Sequence, residues 1–222
     1  MTLTQPSSSS HSRPSAPLSD PRHAFATCVA TAGRAMGAVR PDQLDLPTPC
    51  TDFDVRALLG HLTGVVHRVV ALGRGEDPFA LAFDPDRVGD DAWSSEWDAA
   101  TATAAAVWSD DSVLTRVMRL PWAELPGAGI LAGYVNEVTV HTWDLATATG
   151  QHPEWDDAVL EVAFAAIRQA LPAEGRTAAF EEGFKNLPAH LRNQQYPFAE
   201  AVDVADDAPL VDRLVAYNGR RP

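Results

Sequence analysis

Apolar residues recur at helical spacing along most of the chain, and three of four helical stretches before residue 150 open or close on readable signals. In the first, Phe25, Cys28, Val29, Ala32 and Met36 fall three and four apart, the period of one helix face. Asp20 suits its cap and Pro21 its first position. Pro41, Pro47 and Pro49 then prevent continuation. The second stretch carries Val55, Leu58, Leu62, Val65, Val66 and Val69, with Thr51 or Asp52 as the expected cap and Gly73 or Gly75 as the exit. A third helix is expected around "SSEWDAATATAAAVWSD". "SVLTRVMRLPW" alternates with a period of two and reads as a strand. The fourth helix runs from Ile130 to Thr149 and is stopped by Gly150.

After residue 150 the mixture changes. "DDAVLEVAFAAIRQAL" is an amphipathic helix, an irregular stretch follows through residue 200, and "APLVDRLVAYN" forms a short closing helix. The expected fold is mainly α. An antiparallel four-helix bundle occupies residues 20–150, with a smaller C-terminal α(+β) region at 151–222. Residues 1–19 are rich in Ser and Pro, too poor in large apolar residues to bury a core, and read as a disordered tail.

Charge narrows the partners. The chain carries 17 Lys+Arg against 30 Asp+Glu, a formal charge of −13, with no basic cluster. Nucleic-acid backbones and anionic membranes are therefore not expected partners, because both call for concentrated positive charge. The N-terminus lacks the apolar core of a signal peptide, and no apolar run approaches the roughly 18 residues of a membrane span. Cys28 and Cys50 form no framework, which suits a reducing cytoplasm. A cytoplasmic monomer or homodimer acting on a small molecule is the expectation.

The chemistry concentrates in "NEVTVHTWDLA". Glu137 and His141 lie one helical turn apart, on the stripe that holds Ile130, Tyr134, Val138 and Leu145. An ionised carboxylate on a buried face costs several kcal/mol without a partner. Either the two side chains form a hydrogen-bonded pair, or they are two ligands of a divalent cation. A third ligand has to come from another helix, and His61 is the best placed, beside Leu58 and Val65 on the second helix. His67 projects about 120° away from that face. Three ligands leave positions open for water or substrate, as in catalytic zinc sites. Asp144, close to Glu137 around the same helix, could bond a ligand imidazole or contact a cofactor. Its alternative is an exposed acid at the helix end. Arg68, two turns beyond His61, could meet an anionic cofactor or substrate, or form a surface ion pair. Tyr134 and Trp143 could line the pocket. Cys50 is expected to be a structural thiol.

"TPCTDFDVRALLGHL" and "NEVTVHTWDLATATGQ" together resemble the DinB/YfiT-like superfamily. More narrowly, they resemble the actinobacterial branch named for the N-terminal domain of mycothiol-dependent maleylpyruvate isomerase. The likeness covers roughly residues 20–171 and 197–222. It implies a four-helix bundle holding a divalent metal, usually zinc, through His61, Glu137 and His141; nickel or another ion is the alternative. It also implies use of mycothiol or a similar thiol in S-transfer or isomerisation of a small electrophile. A thiol-independent hydrolase, a biosynthetic isomerase or cyclase, and a non-catalytic metal-binding or regulatory bundle are the other readings. Phe180–Tyr196 looks like an insertion relative to similar sequences, so substrate specificity does not carry over.

Overall fold

The computed structural model describes residues 20–80, 83–120, 123–185 and 199–222. Four long helices form the bundle: α1 (Arg22–Gly37), α2 (Val55–Arg74), α3 (Trp93–Val107) and α5 (Gly127–Thr149). Helix α5 packs against α1 and α2, and α3 closes the other side against the same two. Leu58, Leu62, Val65, Val66 and Val69 of α2 meet Leu131, Val135, Val138 and Leu145 of α5, all without exposed surface. Each such side chain contributes about 1.5–3 kcal/mol by leaving water. Two indoles fasten the bundle: Trp97 donates to the Val29 carbonyl (3.0 Å) and Trp108 to that of Val69 (2.9 Å).

The helix ends follow from short-range chemistry. Asp54, rather than Thr51 or Asp52, caps α2 by accepting from the Ala57 amide at 2.8 Å. The residues before it are held in a turn, with the Phe53 amide donating to the Cys50 carbonyl (2.9 Å). Gly75 and Gly150 end α2 and α5 in the left-handed conformation, φ 77° and 70°.

The stretch expected as one strand divides in two. Asp110 accepts from the Ser112 amide (2.8 Å) and starts a one-turn helix, α4 (Asp111–Thr115). This local cap overrides the alternating pattern at Val113. Only then does β1 (Val117–Leu120) pair antiparallel with β2 (Ala123–Pro126), Val117 opposite Pro126.

Helix α6 (Asp157–Ala170), capped by Asp156, lies along α5 and α1. Helix α7 (Arg176–Lys185) follows, and α8 (Leu210–Tyr217) packs on α6 and α5. Helix α2 is, among the described residues, the one helix long and apolar enough to cross a membrane, and 67% of its most apolar window is buried in the bundle. The Ser/Pro-rich tail and most of the Phe180–Tyr196 segment lie outside the described residues.

Candidate metal centre

His61 on α2 and the Glu137–His141 turn of α5 face each other across the bundle. Nε2 of His61 lies 3.1 Å from Oε1 of Glu137, and Nε2 of His141 lies 3.7 Å from the same oxygen. The two imidazole rings stand edge to face, centroids 4.6 Å apart. Phe53, from the loop before α2, packs its ring 4.8 Å from His61 and 6.2 Å from His141. Thr48 holds that loop, its hydroxyl within bonding distance of the carbonyls of Cys50 (2.9 Å) and Phe53 (2.7 Å).

Behind His141 sits Asp144, fully buried. Its Oδ2 is 3.0 Å from Nδ1 of His141. Arg220, from the end of the chain, grips the same carboxylate with two prongs: Nε to Oδ1 at 3.1 Å and Nη2 to Oδ2 at 2.8 Å. A carboxylate only accepts, so Nδ1 of His141 carries the proton. Nε2 of a neutral His141 then presents a lone pair to the Glu137 carboxylate. Two lone pairs aimed at each other call for a cation between them, either a proton on His141 or a metal ion.

The electrostatics state the same demand. Burial pushes the Glu137 carboxyl up, but the imidazoles of His141 and His61 outweigh it and hold it well below the ordinary carboxylate value. Burial pushes His141 down, yet Asp144 and Glu137 leave it raised. His61 is lowered, burial outweighing its bond to Glu137. Burial also raises Asp144, and His141 and Arg220 bring it below the usual range. With neutral imidazoles, Glu137 and Asp144 against Arg220 leave one negative charge uncompensated in the cluster.

The donor set fits a divalent ion. Ligand atoms of His61, Glu137 and His141 all lie within 4.8 Å of one another. Bonds of 2.0–2.1 Å in a tetrahedral zinc site separate ligand atoms by roughly 3.3 Å. The separations of 3.1 and 3.7 Å bracket that value. A second group, Cys50, His141 and Asp144, is equally compact. It fits less well, because the Asp144 carboxylate is already occupied by the Arg220 guanidinium, a cation that would repel a metal ion.

The other expected site residues are nearby. Tyr134 is buried one turn ahead of Glu137, and burial pushes its phenol up to about 12. Arg68 is half-buried, and its charge acts on both His61 and Tyr134. Among the described residues Arg68 makes no hydrogen bond or ion pair. Asp144 is no exposed helix-end acid; its oxygens face His141 and Arg220. Trp143 is half-buried on α5. His67 points elsewhere, stacking on Phe83 (5.1 Å) with Nε2 3.3 Å from Glu96. His23 and His152 are exposed, and His190 lies outside the described residues. Cys50 is half-buried beside Asp144 and Arg220, its thiol raised by burial. Sequence reading missed Phe53 and Arg220. No spacing rule links Arg220 to Asp144 across 76 residues.

The molecule is thus a helical bundle built around a partly buried His/Glu/His cluster whose ligand atoms are spaced as a cation site would need. It belongs to the mycothiol maleylpyruvate isomerase N-terminal domain family, which matches residues 25–146, more than half of the chain and the part holding all three cluster residues. The chain is also 28% identical over 183 residues to two uncharacterized proteins from strains of Mycobacterium tuberculosis, covering 82% of this chain and 87% of each of theirs. No solved structure matches it.

Proposed function

We propose that this protein is a metal-dependent enzyme that activates a small thiol of the mycothiol type for S-transfer or thiol-assisted isomerisation of a small electrophile. The observation that carries the proposal is geometric: Nε2 of His141, its Nδ1 held by Asp144, and the Glu137 carboxylate converge on one point beside Nε2 of His61. Membership of a family named for a mycothiol enzyme supports the thiol. Two imidazoles and one carboxylate match zinc best among common divalent ions, with nickel the alternative. Bound there, such an ion supplies the Lewis acidity that keeps a thiol deprotonated near neutral pH.

The remaining roles belong to the chain itself. His61, Glu137 and His141 hold the ion, and Asp144 fixes the His141 tautomer. Phe53 lies against both imidazoles and limits water at their faces. Arg68, which pairs with no carboxylate among the described residues, brings a positive charge near His61 and Tyr134 that attracts an anionic group on the thiol or its electrophile. Tyr134 keeps its proton at neutral pH and can donate it in a hydrogen bond. The free thiols Cys28 and Cys50 accord with a reducing cytoplasm. There the protein works on small molecules as a monomer or homodimer, with neither nucleic acid nor membrane as partner.

Calorimetric titration of the zinc-loaded protein with mycothiol tests this reading. Saturable binding, weakened about tenfold or more by Arg68→Ala, a loss of about 1.4 kcal/mol, is the expected result. No binding, or turnover of ester or amide substrates without any thiol, would favour a metal-dependent hydrolase instead.

A further inference from the structure

We infer that Arg220, from the last residues of the chain, is a positioning residue of the candidate metal centre: it locks the Asp144 carboxylate that orients His141. This rests on the reading that His61, Glu137 and His141 hold a metal ion.

Arg220 is itself fixed on every side. Helix α8 ends at Tyr217 with Asn218 as its cap, and Gly219 turns the chain with φ 82°. A Cβ at Gly219 would meet the Cβ of Ala199 at 2.7 Å and the Glu200 carbonyl at 3.2 Å, so a larger residue is excluded twice over. The Arg220 amide then donates to the Val215 carbonyl (2.9 Å) and its Nη1 to the Asn218 carbonyl (2.9 Å). The guanidinium is braced by its own backbone before it reaches Asp144. Its side chain is only 9% exposed.

A second contact sets the register. Asn136, the residue before Glu137, exchanges two amide hydrogen bonds with Asn218, at 3.1 and 3.0 Å. Both side chains are buried. The end of α8 therefore holds α5 at Asn136 and at Asp144, one on either side of the Glu137–His141 turn. A buried ion pair adds little net stability against apolar packing, so stability alone does not explain a two-pronged Arg–Asp pair at this place. Its geometric consequence is specific. With both oxygens held, Asp144 can accept from Nδ1 of His141 in one orientation only, and Nε2 is left aimed at Glu137. Partners of this kind typically change metal affinity roughly 10- to 100-fold when removed. Arg220 lies outside the region matched by the family, which ends at residue 146, so the C-terminal segment completes a site built by the bundle.

The test is cobalt substitution of the full-length protein, reading the visible ligand-field spectrum and the affinity by chelator competition. Wild type is compared with Arg220→Gln, the conservative Arg220→Lys, and Tyr217→Phe. The last loses the α8 hydrogen bond to the Leu171 carbonyl (2.8 Å) without touching Asp144. The expected result is a displaced spectrum and roughly tenfold or greater loss of affinity for Arg220→Gln, partial recovery for Arg220→Lys, and a wild-type spectrum for Tyr217→Phe even where its melting temperature falls. Spectrum and affinity unchanged in both Arg220 variants would overturn the inference while leaving the metal centre standing. Failure of the wild type to bind cobalt would overturn both.

Discussion

The α1–α3 side and the α2–α5 side of the bundle differ in opposite senses. Between α1 and α3 lies an open groove of about 650 Å³, lined by Phe25, Val29, Gly33, Trp97, Ala102 and Ala105 among others. It shares no residue with the His/Glu/His cluster. Between α2 and α5, side chains that are costly to bury are packed within bonding distance of one another. The groove is roomy because alanine and glycine leave space, and that space makes no demand on chemistry. The cluster is tight, and with neutral imidazoles its charges do not balance; a proton on His141 or a metal ion is needed. Function is read from the second kind of place, where the fold has accepted an electrostatic cost that only a cation relieves.

The comparison sharpens most under pH. In the metal-free protein, His141 is raised above the ordinary 6.5, so its contribution is full below that value and is lost as pH rises through its folded pKa. His61 is lowered, so it contributes above 6.5 and loses that contribution as pH falls through its folded pKa. Glu137 and Asp144, lowered from 4.5 and 3.8, contribute above those values and lose stability on further acidification. Denaturant melts should therefore show maximal stability of the apo-protein near pH 6.5, falling on both sides. Zinc should move the maximum upward, since binding displaces the His141 proton. A flat profile from pH 5 to 8 in both forms would show that the cluster is not coupled to folding.

The smallest effect is expected in the groove. Ala102→Glu, at an exposed position on α3, should change stability by no more than about 0.5 kcal/mol and leave the pH profile and metal content untouched. A loss of metal in that variant, measured beside its melting curve, would mean that the two sides are not independent.

Much of the fold and of the cluster is legible in the sequence. The helical spacing of Val55 to Val69 located α2, and Gly150 marked the end of α5, because apolar periodicity and a left-handed stop are local signals. Placing Glu137, His141 and His61 on facing stripes required only helix geometry and the assumption of a bundle. Helix α7 forms inside the stretch expected to be irregular through residue 200, and two elements were misread for local reasons as well. Asp110 nucleated a turn where alternation suggested a strand, and Asp54 capped α2 in place of its neighbours. Asp144 could not be decided from the helix wheel, because its burial depends on a segment 76 residues away. Arg220 and Phe53 were invisible for the same reason. Their contacts are tertiary, and nothing in "YNGRRP" or "TDFD" says what they face.

The proposed chemistry requires a metal ion between Glu137 and the two imidazoles. Elemental analysis of the purified wild-type protein beside Glu137→Ala, both shown to be folded by circular dichroism, measures this directly. The expected result is near-stoichiometric zinc, or nickel, in the wild type and its loss in the variant. A wild type that takes up no metal even after reconstitution would contradict the account, and the cluster would then be a protonated hydrogen-bonded core centred on His141.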